Sequence, residues 1–163
     1  MKSIIPATAA LLITLTTAAA AQAATVISCN DGDTCKFNDR GKTVSVRIAG
    51  IDAPEKGQKD YKLAKEYLIS LLKNQPAELE CNGRSYKRKV CTIFVHGKDI
   101  GETMVANGFA WDSPKYSKGK YTKHMQLAQS TKLGIWKNPR VQSPFCFRHK
   151  RAVECVRGPA RDR

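Results

Sequence analysis

The sequence predicts an α+β fold, a small five-stranded β-barrel carrying about three α-helices. Three observations predict it. Apolar residues alternate strictly over Lys42–Ala49, an apolar stripe recurs at helical spacing over Asp60–Lys73, and short strand-like runs separated by turn residues lie on both sides of that stripe. The chain of 163 residues is long enough for one domain with one core.

The amino-terminal segment reads as a leader. Met1-Lys2 is a short positive start, Ile4–Ala20 is apolar and uncharged, and Ala21-Gln22-Ala23 places small residues where a signal peptidase reads. A membrane anchor is the alternative, but the run is rich in Ala and Thr and ends in a cleavable pattern. The expected organisation is a signal peptide at 1–23, a folded domain at 24–136 and a basic tail at 137–163, in an exported protein, periplasmic or secreted.

Along the domain, Thr25–Cys29 and Thr34–Asn38 are β-branched runs. In Lys42–Ala49, Val44, Val46 and Ile48 share one face, with Thr43, Ser45 and Arg47 on the other. Asn38–Gly41 is a turn, so the first three strands form a meander. Asp60–Lys73 is a helix whose stripe is Leu63, Ala64, Tyr67, Leu68, Leu71 and Leu72, stopped by Pro76. Ala77–Cys81 and Lys89–Val95 complete five strands. Asp99–Asn107 is a short helix with Asp99 as N-cap, Glu102 three residues on and Gly108 at its end. Ser113–Lys120 is a loop and Tyr121–Lys132 a third helix. Five strands interrupted and followed by helices suit the oligonucleotide-binding (OB) architecture.

Six cysteines, Cys29, Cys35, Cys81, Cys91, Cys146 and Cys155, allow 15 pairings into three disulfides. Sequence neighbours are favoured because each neighbour pair brackets a turn or loop. A zinc site is disfavoured: there is no Cys-x-x-Cys pair, and His96, His124 and His149 are scattered.

The chain holds 28 Lys and Arg against 14 Asp and Glu, a formal net charge of +14. Such a surface attracts phosphate polyanions. Within it stand Asp33, Asp52 and Glu55, which would repel phosphate unless a cation lay between. Asp33 and Asp52 sit beside tight turns, and two carboxylates from separate segments make a hard oxygen site for Ca²⁺ or Mg²⁺. Ala53 offers its backbone carbonyl and is held extended by Pro54. Taken alone, Asp31-Gly32-Asp33 equally suits a hairpin turn that caps its own backbone. Glu55 is placed to take a proton from a water, and Arg47 and Arg88 are able to grip phosphate oxygens as charge grows on them.

Asn30-Asp-Gly-Asp-Thr34, Val46-Arg-Ile-Ala-Gly-Ile-Asp-Ala-Pro-Glu55, Arg88-Lys-Val-Cys-Thr-Ile-Phe-Val-His-Gly97, Met104-Val-Ala-Asn-Gly-Phe-Ala110 and Leu133-Gly-Ile-Trp136 closely resemble, in order, the staphylococcal (thermo)nuclease family. The resemblance spans Thr25 to Trp136. It implies an OB barrel and a Ca²⁺-dependent phosphodiesterase acting on DNA and RNA and leaving 3′-phosphorylated products. By position it implies Asp33, Asp52 and the Ala53 carbonyl as calcium ligands and Glu55 as general base. Arg47 and Arg88 correspond to the phosphate-binding pair, Tyr86 to a tyrosine near the terminal phosphate, and Tyr116 to an aromatic beside the base. Ala53 replaces a threonine of the type member, Ser85 stands where a lysine is expected, and the loop from Cys81 to Arg88 is shorter. The cysteines and the tail after Trp136 have no counterpart there. A monomer without a stable protein partner is expected. The rival readings are a catalytically weak OB-fold module that only binds nucleic acid, and a cationic membrane-active toxin; the complete set of Asp33, Arg47, Asp52, Glu55 and Arg88 disfavours the first, and the lack of a dominant basic amphipathic helix the second.

Overall fold

The computed structural model describes residues 23–150 and Cys155, so the expected leader lies outside the described residues except for Ala23. Its strands are β1 (Thr25–Cys29), β2 (Thr34–Asp39), β3 (Lys42–Ile48), β4 (Ile51–Asp52), β5 (Glu78–Ser85), β6 (Arg88–Val95), β7 (Lys98–Asp99) and β8 (Trp111–Asp112). Its helices are α1 (Tyr61–Leu72), α2 (Ile100–Ala106), α3 (Pro114–Ser117), α4 (Thr122–Ser130) and α5 (Pro144–Arg148), with a 3-10 turn at Gly134–Lys137. The fold is mixed α+β.

β1, β2 and β3 form the expected antiparallel meander. Arg40 and Gly41 take φ of 53° and 77°, the two left-handed residues of a tight hairpin turn. β3 then runs parallel to β6, pairing Val46 with Lys89, Arg47 with Val90 and Ile48 with Cys91. β5 closes antiparallel on β6, which sets the order β1-β2-β3-β6-β5. At the two edges, Ala24 and Ala77 exchange backbone hydrogen bonds of 2.7 and 2.8 Å. Away from this sheet β4 pairs with β8.

The core gathers Phe37, Val46 and Ile48 from the meander, Ile93 from β6, Leu68 and Leu72 from α1, and Met104 and Val105 from α2. Each such apolar side chain contributes about 1.5–3 kcal/mol on burial. The α1 stripe is narrower than its spacing suggests: Ala64, Leu68 and Leu72 are buried, while Leu63 lies at the stripe's edge and is 49% exposed. The expected N-cap of α2 is present, with the Glu102 N–H donating to Asp99 Oδ1 at 3.2 Å.

Two features differ from expectation. The stretch between Cys81 and Arg88, expected as a loop, continues β5 to Ser85 past an irregularity between Cys81 and Gly83, and only Tyr86-Lys87 turns. Among the described residues five α-helices stand where about three were expected. The extra two, α3 and α5, are single turns started by Pro114 and Pro144, too short to display an apolar period. The three neighbour pairs of cysteines are bonded: Cys29–Cys35 and Cys81–Cys91 join cross-strand partners, and Cys146–Cys155 joins α5 to Cys155 downstream. Among the described residues no helix is long and apolar enough to cross a membrane.

Gly32 sets how closely α1 approaches the β1–β2 turn. A Cβ there would stand 2.8 Å from Ala53 Cβ and 3.0 Å from Ala64 Cβ. Gly32→Ala therefore drives the turn away from Ala53, and is expected to lower stability by about 1–3 kcal/mol. A thermal melt of the variant checks this, with a lowered Tm as the expected result.

Candidate active site

Asp33 ends the β1–β2 turn, its own N–H donating to Asp31 Oδ1 at 3.0 Å. Its carboxylate is 2% exposed and fully engaged. Oδ1 accepts from Thr34 Oγ1 at 2.9 Å and from Arg47 Nη1 at 2.7 Å, and Oδ2 accepts from the Ala53 N–H at 3.0 Å. Arg47 reaches it because β2 and β3 pair Thr34 with Arg47. The same guanidinium turns its other arm to Asp52, Nη2 donating to Oδ1 at 3.0 Å, so one arginine spans two carboxylates from separate segments. Asp52 is placed by the short β4–β8 pairing, opposite Trp111.

Arg88 opens β6 on the parallel neighbour of β3. Its Nη1 donates to Thr34 Oγ1 at 3.2 Å and its Nη2 to Ser85 Oγ at 3.4 Å. Thr34 therefore links the two arginines, since its hydroxyl also donates to the carboxylate that Arg47 holds. Ser85, at the position where a lysine was expected, orients Arg88 instead. Glu55 follows Pro54 and is fixed at its backbone, its N–H donating to Gln58 Oε1 at 2.7 Å. Tyr86 and Tyr116 are 94% and 71% exposed. They line a cleft of about 1200 Å³ that also contains Arg47, Asp52, Glu55 and Arg88.

One participant escaped sequence reasoning. Arg148, the last residue of α5, donates from Nη1 and Nη2 to the two oxygens of Asp52 at 3.2 and 2.8 Å. Its Nη1 also donates to Glu55 Oε1. The segment expected as a basic tail thus enters the site. Ser143-Pro144 is a legible helix start, and Ser143 Oγ accepts from the Cys146 N–H, but nothing in the sequence separates Arg148 from the other tail cations.

Burial pushes the Asp33 carboxyl up to about 7, with Asp31 and Asp52 adding to the rise while Arg47 and the Ala53 N–H oppose it. Burial works against the Arg47 charge, but Asp33 and Asp52 outweigh it and hold the guanidinium above its ordinary range. The hydrogen bond to Asp52 chiefly raises Arg148, against some desolvation. Both arginines stay cationic.

A proton held more tightly in the folded state than in the unfolded chain gives stability that is complete below the ordinary aspartate value and lost as pH rises through the folded one. For Asp33 that window runs from 3.8 to about 7. The Tm of the metal-free protein is expected to carry a component that falls across this window. Asp33→Asn removes that component, and melts of both proteins at successive pH values check it.

The chain is similar to several known proteins. A family model described as Staphylococcal nuclease homologue matches residues 45–138. An uncharacterized endonuclease of Haemophilus influenzae is 30% identical over 131 residues, covering 78% of this chain and 74% of that protein. A micrococcal nuclease of Shigella flexneri is 29% identical over 136 residues, covering 76% and 78%. An uncharacterized endonuclease of Escherichia coli O157:H7 is 28% identical over 129 residues, covering 77% and 84%. With more than half its length matched by the family model and a closely covering relative at 30% identity, the chain belongs to the staphylococcal nuclease family and is a nuclease, a phosphodiester hydrolase.

Proposed function

We propose that the protein is a Ca²⁺-dependent, sugar-non-specific nuclease that hydrolyses phosphodiester bonds of DNA and RNA to 3′-phosphorylated products. The observation that carries this reading is Arg47 spanning Asp33 and Asp52, with Glu55 on the same loop as Asp52 and Arg88 tied to Asp33 through Thr34. The sheet is read as a closed OB barrel, a reading supported by the Ala24–Ala77 bridge between its edges. Export to an oxidising compartment is supported by the three disulfides.

The donor chemistry suits a hard divalent cation. Among the described residues no group of three His, Cys, Asp or Glu side chains stands ready to hold a metal, so side chains alone do not complete a cage. Two carboxylates drawn together by one guanidinium, with the Ala53 backbone hydrogen-bonded to one of them, offer oxygen donors of the kind calcium takes. Asp33, Asp52 and the Ala53 carbonyl are the assigned ligands, and a bound cation would neutralise the phosphate and orient the attacking water. Glu55 takes the proton of that water as its oxygen bonds to phosphorus, and the bond from phosphorus to the 5′ oxygen breaks. Arg47 and Arg88 hold the non-bridging oxygens, on which charge is greatest in the transition state. Tyr86 and Tyr116, exposed at the rim, are assigned to the terminal phosphate and the base. Since these contacts go to phosphate and to the faces of bases, sequence preference is expected to be weak.

Removing calcium with EGTA is expected to abolish cleavage of plasmid DNA when Ca²⁺ is the only metal added. Glu55→Gln is expected to lower kcat by roughly 10²–10⁴-fold, the ordinary size of general-base catalysis. Arg47→Ala is expected to cost about 10²–10³-fold, as for loss of one transition-state donor. Steady-state kinetics on a defined oligonucleotide check both, and near-normal turnover in either variant removes that residue from its role.

A further inference from the structure

The ion pairs of Arg148 occupy the groups that the proposed reaction needs free. Asp52 Oδ1 already accepts from Arg47, and Arg148 takes both Asp52 oxygens as well as Glu55 Oε1. Asp52 Oδ1, holding two guanidinium donors, has no lone pair left for a cation, Oδ2 keeps one lone pair but beside a like-charged guanidinium, and a carboxylate bound by arginine is a poor acceptor for a proton from water. The guanidinium stands where positive charge is wanted: among the described residues Asp52 otherwise pairs only with Arg47, and Glu55 with no other cation.

The tail is docked independently of these pairs. Gln58 Nε2 donates to the Gln142 carbonyl at 2.9 Å, and Pro144 is buried. Phe147 lies close enough to Gly57 that a Cβ there would be 3.4 Å from its ring. The Arg148 side chain, by contrast, is 36% exposed and borders the open cleft. A change of rotamer frees Asp52 and Glu55 while α5 stays in place.

We propose that Arg148 is a positioning residue that competes with the divalent cation for Asp52 and occupies Glu55 in the resting protein, so that the carboxy-terminal segment sets the calcium affinity of the site. This rests on the assignment of Asp33 and Asp52 as cation ligands. A cation held by Asp52 would displace at least one of the two bonds that Arg148 makes to that carboxylate.

Isothermal titration with CaCl₂ alone, at a pH above 7 and without nucleic acid, tests it on the wild-type protein and on Arg148→Ala, Arg148→Gln and Arg148→Lys. The expected result is tighter binding in the Ala and Gln variants, by about tenfold, the size of one charge-assisted bond in a half-exposed site. Lys, which keeps the charge but loses the two-armed grip, is expected to lie between. Unchanged or weaker calcium binding in either neutral variant, with a wild-type circular dichroism spectrum, overturns the proposal, because a mere brace for α5 would give that result. Asp52→Asn separates this failure from failure of the site assignment. If wild-type binding is present and lost in Asp52→Asn, the ligand assignment stands whatever Arg148 does. If neither the wild type nor the Arg148 variants bind calcium, the ligand assignment falls and the competition with it.

Discussion

The structure turns on one guanidinium held between two carboxylates. Asp33 is buried, and a buried carboxylate without a partner is costly enough to take up a proton instead. Arg47 supplies the partner and in the same gesture reaches Asp52, so two segments separated in sequence are fixed at one guanidinium's span. Losing Arg47 would leave the buried Asp33 carboxylate without its cationic partner. The charge pattern is therefore not a stabilising ornament, since pairs of this kind rarely add net stability over apolar packing. It is a means of keeping acidic groups close together inside a basic protein.

The scaffold serves that spacing. The β2–β3 register sets Thr34 opposite Arg47, and the parallel β3–β6 pairing brings Arg88 alongside, so that a single threonine hydroxyl joins both arginines to Asp33. The Ala53 N–H donates to Asp33 from the loop that follows β4, and the absence of a side chain at Gly32 lets α1 and that loop close on the turn. The disulfide Cys29–Cys35 ties the end of β1 to the start of β2, and Cys81–Cys91 joins the middles of β5 and β6. Core packing of Leu68, Leu72, Ile93 and Met104 lies beneath and supplies most of the apolar burial.

Much of this was legible in the residues. The alternation through β3, the stripe of α1 and the Asp99 cap of α2 carry periodic or local signals, and each reappears within a residue or two of its expected bounds. The acid and arginine cluster was legible because its motifs are short and their order is unusual. What was hidden has a common cause. Continuation of β5 through Asn82-Gly83 depends on pairing with β6, which overrides the turn preference of those two residues. The helices α3 and α5 are too short for a period. The contact of Arg148 with Asp52 spans 96 positions, and its residue type is shared with much of the tail. Long-range ion pairs leave no local mark.

That last contact changes the charge balance of the cluster. A carboxy-terminal segment contributes a further cation, Arg148, to Asp52 and Glu55. The central claim is still the chemical one, that this cluster directs calcium-dependent attack by water at phosphorus with departure of the 5′ oxygen. End-group analysis of products from a defined oligonucleotide, with and without Ca²⁺, tests it most directly. The account predicts 3′-phosphate and 5′-hydroxyl ends that form only when calcium is present. Products ending in 5′-phosphate, or cleavage that proceeds equally without calcium, would contradict it.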